Sequence, residues 1–247
     1  MRCGAVIAGM IGVAAAALPA GADEPAVTIL FHLRPPYAEI DDRHQLTGLL
    51  VDPVKSALAN AGLTADWLEM PPARQTEEIK RSNARVCGLG WFKRPEREAF
   101  ALFSAPIYHD QPTVAVARKS DGRFAEGMSL QESLRDDSRE IIVKTGYSYG
   151  ATIDEWMAAL HPHSEVSSGD NQSLLGMVAL KRGDYALMAP EEADDLLATV
   201  PELGGSLHAI RLSDAPAGEL RYLMCSKATP AELLARINEG LPPVGAQ

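Results

Sequence analysis

Six histidines, at positions 32, 44, 109, 161, 163 and 208, are the side chains best suited to hold a metal. Only His161 and His163 lie close together, around Pro162, and no cysteine stands near them. That spacing reads as a surface loop at a helix end rather than a metal site, which needs several ligands brought to one point. Gly-x-Ser-x-Gly, His-Glu-x-x-His, Walker and Rossmann patterns do not occur. Gly88-x-Gly90, within a strand, is too short a match to carry a nucleotide site. No catalytic residue, no metal and no cofactor are therefore expected, and neither hydrolase nor transferase activity. Cys87 and Cys225 can pair in an oxidising compartment or stay as two buried thiols.

These residues must be positioned by elements that the hydrophobic pattern outlines. Strands are expected over Val27 to Leu33, Val86 to Phe92, Thr113 to Arg118, Glu140 to Thr145, Asp184 to Met188 and Leu220 to Cys225. A helix capped by Asp52, with Pro53 in its first turn, should end at Gly62. Arg74 to Asn83 is helical after Pro71-Pro72. Ser129-Leu130-Gln131-Glu132 has the form of a capping box. Gly146 leads into a helix running to about Leu160, with Thr152 and Glu155 as candidate caps. Leu174, Leu175 and Val178 have helical spacing, Pro190 starts another helix, and Thr229-Pro230 should cap the last. Strands alternating with helices imply an α/β chain with largely parallel sheets.

The N-terminus has a different character. Met1-Arg2 is positive, Ala5 to Leu18 is apolar, and Ala20-Gly21-Ala22 precedes the acidic Asp23-Glu24. This is the pattern of a secretory signal peptide over residues 1–22. The run is shorter than the about 20 residues needed to span a bilayer. Cys3 lies too early for lipid attachment, and no later segment reads as a membrane anchor. Cleavage would leave roughly 225 residues, enough for one large domain or two small lobes. The chain holds 23 Lys and Arg against 33 Asp and Glu, a formal charge of −10. Such a balance argues against nucleic acid, whose phosphates require a basic face.

Several segments, in order along the chain, resemble the family-3 extracellular solute-binding proteins of ABC transporters for polar amino acids. Pro35-Pro36-Tyr37 follows the first strand, and Leu46-Thr47-Gly48-Leu49-Leu50-Val51-Asp52 leads into the first helix. Pro95-Glu96-Arg97 stands at the family's spacing from Phe103-Ser104-Ala105-Pro106-Ile107-Tyr108, and Arg118-Lys119 follows. Thr145-Gly146-Tyr147-Ser148-Tyr149-Gly150 resembles the family's strand-to-helix turn. Lys181-Arg182-Gly183-Asp184-Tyr185-Ala186 resembles its Gly-Arg-x-Asp-Ala segment. The stretch from Cys87 to Lys93 also looks like a divergent subgroup of solute-binding-like proteins.

The resemblance implies a two-lobed periplasmic binding protein type 2 fold with a hinge of two crossover strands. Residues 26–108 would open lobe 1, 112–215 would form lobe 2, and 220–247 would carry the second crossover back to lobe 1. Ligand would sit in the cleft and be enclosed by hinge motion. It implies a periplasmic monomer that captures a small anionic or zwitterionic ligand for an ABC permease. Arg97 matches the arginine that grips a ligand carboxylate, which a planar guanidinium can do bidentately. Ser148 matches the hydroxyl residue at a lobe 2 helix start, where N–H groups favour an anion. Tyr37, Trp91 and Phe92 fall at aromatic or backbone contact positions, and Arg74 where relatives carry an arginine. Both cysteines map to strands of, or bordering, lobe 1, which implies a Cys87–Cys225 disulfide.

Three departures stand out. Arg94 replaces the family's threonine three residues before Arg97, and gathers Lys93, Arg94 and Arg97 at the cleft edge. The lobe 2 aspartate that holds a ligand's amino group falls on Ala189, with Glu191 near but out of register. Most of the family's last helical segment is missing after Leu241. Two rival functions share the fold. One is a sensing or partner-binding module without a transporter. The other is an enzyme such as the periplasmic dehydratases acting on cyclohexadienyl acids, for which Glu39 and Glu191 are the candidate acid–base groups.

Overall fold

Val27-Thr28-Ile29-Leu30-Phe31 is apolar at nearly every position, the composition of a strand covered on both faces. It forms β1 (Val27–Phe31), with only Thr28 part-exposed. The structure, a computed structural model, describes Met1 and residues 27–244. The signal peptide expected over residues 1–22 therefore lies, Met1 apart, outside the described residues.

A short hairpin, β2 (Glu39–Ile40) and β3 (Leu46–Thr47), leads into α1 (Val51–Asn60). Asp52 is not its N-cap. Leu50 holds that position, and the Asp52 carboxylate instead accepts from Thr47 Oγ1 at 2.9 Å and Gly48 N–H at 3.3 Å. The acid still sits in the first turn, where the helix dipole favours it. Next come β4 (Ala65–Glu69), α2 (Pro72–Arg81), β5 (Val86–Phe92), the single turn α3 (Pro95–Glu98), β6 (Ala101–Phe103) and β7 (Tyr108–His109).

The chain then enters a second sheet through the fully buried β8 (Val114–Arg118). There follow α4 (Leu130–Arg135), β9 (Ile141–Lys144), α5 (Ala151–Leu160), β10 (Ser164–Ser167), α6 (Asn171–Ala179) and β11 (Tyr185–Met188). After α7 (Pro190–Thr199) and α8 (Pro201–Ser206), β12 (Leu207–Arg211) completes this sheet. The chain returns as β13 (Leu220–Ser226) and ends in α9 (Ala231–Gly240). No helix among the described residues is long and apolar enough to cross a membrane.

The first sheet has the order β4-β1-β5-β13-β6, with β7 also on β13; the second has β10-β9-β11-β8-β12. Neither is largely parallel. In the first sheet β1 pairs parallel with β4 and β5, but β13 runs antiparallel to β5, β6 and β7. In the second, β8 runs antiparallel to β11 and β12. The strands that break the pattern are those the chain enters from the other sheet. They need no helical crossover on their own sheet, so nothing forces them parallel.

Each sheet has its own apolar core. Ile29, Val54, Leu58, Leu223 and Ile237 pack in the first, while Ile142, Leu175, Ile153 and Tyr185 pack on the faces of the second. The two lobes are joined by two connections, and these touch. A Cβ on Gly218 would lie 1.6 Å from the Asp110 carbonyl oxygen, so only glycine fits there. Cys87 on β5 and Cys225 on β13 are directly opposite and form a disulfide.

The caps follow the sequence in part. Ser129 Oγ accepts from Glu132 N–H at 3.2 Å at the start of α4. Gly150, not Thr152, is the N-cap of α5, and the α9 cap is Pro230. Thr229 instead is buried with its hydroxyl 3.3 Å from Ser226 Oγ.

Candidate functional site

The parallel strands of both sheets direct their C-terminal ends at one cleft, the usual place for a ligand in open α/β sheets. His32 and Arg34 follow β1, Phe92 and Arg94 end β5, Lys144 ends β9, and Glu192 opens the helix after β11. Two cavities of about 60 and 70 Å³ lie between the lobes and share Arg34, Phe92, Tyr147, Ser148 and Arg221 in their walls. They are small because side chains of the two lobes meet across the cleft.

The principal contact is Arg34 with Glu192. Arg34 Nε and Nη2 donate to the two carboxylate oxygens at 2.6 Å each, and Asn171 Nδ2 donates to Oε1 at 2.5 Å. The Arg34 and Glu192 side chains are only 12% and 2% exposed, so each charge depends on the other. Burial alone would lower the Arg34 pKa, but Glu192, together with Tyr147 and Tyr37, more than offsets it and holds the value well above normal. The guanidinium also lies 4.7 Å from the Tyr37 ring centre and 5.6 Å from that of Tyr147. Aromatic faces on a cation add attraction of their own.

A second contact lies at the cleft edge. Arg94 Nη1 meets Glu219 Oε2 at 2.6 Å, and its Nη2 donates to Ser148 Oγ at 3.3 Å. The other Glu219 oxygen accepts from Ala151 N–H at 2.5 Å, at the start of α5. Gly150 makes this approach possible. Its φ is +101°, and a Cβ there would stand 2.9 Å from Glu219 Oε1. The Ser148 hydroxyl donates to Asp154 Oδ2 at 2.5 Å, and Tyr149 N–H donates to Asp154 Oδ1 at 2.8 Å. The anion at this helix start is thus the chain's own.

Deeper in, Arg221 Nε pairs with Asp110 Oδ1 at 2.6 Å and Nη1 donates to the Gly90 carbonyl at 3.0 Å. His32 Nε2 lies 3.3 Å from Tyr147 OH, between lobes. Burial, and then the charges of Arg34, Lys144 and Arg221, pull the His32 pKa down to about 3, so its ring is neutral.

Arg97, Trp91, Phe92 and Ser148 line the same cavity. Arg97 Nη1 donates to the Phe92 carbonyl at 2.8 Å and its guanidinium stacks 4.9 Å from the Trp91 ring centre. The hydroxyl of Ser148 meets Arg94 rather than Arg97. Tyr37 is fully buried, and its hydroxyl donates to Glu191 at 3.2 Å, as that of Tyr108 does at 2.8 Å. Glu191 and Glu39 line neither cavity. Arg74 is exposed on α2, in a surface depression with Glu77, Glu78 and Arg81, away from the cleft.

Sequence reasoning did not single out Arg34, Lys144, Tyr147, Glu192, Glu219 or Arg221. The signals were adjacency alone: Arg34 precedes Pro35-Pro36-Tyr37, Tyr147 precedes Ser148, and Glu192 follows Glu191.

Comparison with solved structures gives the same two-lobed fold. The arginine-bound form of truncated ArgBP from T. maritima superposes with a TM-score of 0.67 at 17% identity, over 87% of this chain and 93% of that one. A structure concerned with glutathione import via GshT and the cystine ABC importer TcyBC of Streptococcus mutans gives 0.69 at 14%, over 87% and 86%. The GluR0 ligand-binding core from Nostoc punctiforme, in complex with L-glutamate, gives 0.65 at 15%, over 87% and 90%. Among curated proteins none matches. One family model matches residues 27–242, nearly all of the described chain, and on that match the chain belongs to the bacterial extracellular solute-binding proteins, family 3.

Proposed function

We propose that this protein is exported to the periplasm, captures a small polar ligand bearing a carboxylate, and presents it as a monomer to an ABC-type importer. Lobe 1 would comprise residues 26–108 with the return segment 220–247, and lobe 2 residues 112–215. The observation that carries the reading is the cleft itself. Among the described residues, cationic groups with no carboxylate within ion-pair distance reach it from both lobes, Arg97 from one and Lys144 from the other. A ligand bridging the lobes would stabilise the closed form selectively, which is the condition for shifting a conformational equilibrium. The arginine and L-glutamate bound by the structural neighbours support a ligand of that size.

The test is a thermal-shift screen of amino acids, keto acids and dicarboxylates, followed by calorimetry on the hits. A saturable ligand raising the melting temperature is expected. Failure of every small anion and zwitterion to bind would remove the reading. Intact mass of the protein from a periplasmic extract should show cleavage after Ala22, and recovery of the full-length chain in membranes would defeat export.

A further inference from the structure

We propose that Arg34 is a built-in occupant of the cleft's cation seat, so that the protein selects carboxylate ligands lacking an amino group. The inference rests on the ligand-capture reading above and names the ligand class. An amino acid brings an ammonium into a site closed from water, and a buried ammonium needs a carboxylate partner. The carboxylates that line the cleft are already engaged. Glu192 is held at both oxygens by Arg34 and at one by Asn171. Asp110 is paired with Arg221, and Glu219 with Arg94 and the Ala151 N–H.

Arg34 is seated as a free guanidinium would be. Its fork meets a carboxylate edge-on, and the rings of Tyr37 and Tyr147 stand within cation–π distance. The side chain comes from lobe 1, and the carboxylate from the start of α7 in lobe 2. The residue thus supplies, within the chain, the positive charge that a ligand's amino group would otherwise bring.

The cations show the opposite balance. Among the described residues, neither Lys144 nor Arg97 has a carboxylate within ion-pair distance. Lys144 Nζ donates to Asn171 Oδ1 at 3.0 Å, and Arg97 donates to a backbone carbonyl. Both line the cavities. The groups left to a ligand are therefore positive, and they fit an amine-free mono- or dicarboxylate.

Calorimetry at pH 7 with matched pairs tests this: glutarate and 2-oxoglutarate against L-glutamate, and succinate against L-aspartate. At least one amine-free acid should bind ten or more times more tightly than its amino counterpart. Arg34→Ala should vacate the seat, gain binding of L-arginine by at least tenfold, and lose that gain when Glu192→Gln is added. Amino acids binding wild type as tightly as the amine-free acids would overturn the proposal while leaving ligand capture intact. Absence of binding by either class would overturn both. A folded Arg34→Ala protein that gains no L-arginine binding would also overturn it. If that variant does not fold, the matched pairs on wild type decide alone.

Discussion

Arg97 carries a charge in a half-buried place where, among the described residues, no carboxylate lies within ion-pair distance. Burial, reinforced by Arg94 against the opposing pull of Glu96, Asp154 and Glu219, lowers its pKa below the ordinary guanidinium value. An anion beside it would relieve that penalty. Charge-assisted hydrogen bonds are worth about 1.5–3 kcal/mol. Arg97→Ala should therefore weaken the affinity for the screened ligand roughly tenfold to a hundredfold, with the circular dichroism spectrum unchanged. Arg97→Lys should restore only part, because the planar fork is gone. An Arg97→Ala protein with wild-type affinity would place the ligand elsewhere. The places of Arg97 and Ser148 on the cavity wall were legible because each sits in a short local motif. Arg34 and Glu192 were not, because the contact that gives them meaning joins residues 158 positions apart. Nothing local to either residue distinguishes a cleft ion pair from a solvated charge.

At the scale of elements, legibility followed burial. β8, with all five residues buried, and β5, buried over its first four, read directly from the sequence as apolar runs. β4 did not, since Asp66, Leu68 and Glu69 are exposed and the strand sits at the edge of its sheet. A strand covered on one side carries half the hydrophobic signal. The link between β5 and β13 was readable only as two cysteines with two possible fates. The fold decides between them by setting Cys87 and Cys225 face to face across an antiparallel pair. The bridge spans 138 residues, and in the chain-entropy account so long a loop contributes about 4 kcal/mol, often less. Under a strong reductant the urea midpoint should fall and the m-value rise as the unfolded chain expands, and unreduced unfolded protein should show no free thiol. Two free thiols in that titration would refute the bridge.

For the whole molecule, the contacts between lobes determine how the cleft opens. Arg34–Glu192, Arg94–Ser148, the Glu191 bonds to Tyr37 and Tyr108, and His32–Tyr147 all join residues of one lobe to the other. Among them His32 is the group whose charge can change near neutral pH. In the closed form burial, then Arg34, Lys144 and Arg221, keep its pKa at about 3. Solvated in an unfolded chain, it would titrate near about 6.5, and opening of the cleft, which admits water and removes Lys144, raises its pKa toward that value. The open chain then binds a proton that the closed one refuses, at every pH between those values. The closed form is therefore fully stable on this account above about pH 6.5 and loses stability progressively as pH falls toward 3. Protonated His32 would also face three cations, of which Lys144 stands on the other lobe and is removed when the lobes separate. Without ligand, the radius of gyration from small-angle scattering should increase between pH 7 and pH 5, and the melting temperature should drop. Carboxylates also titrate on this side of neutrality, so the decisive comparison is His32→Asn, which keeps a polar side chain and removes the titration. A smaller change in both measurements is expected in that variant. If His32→Asn opens and melts with the same pH dependence as wild type, His32 does not control closure.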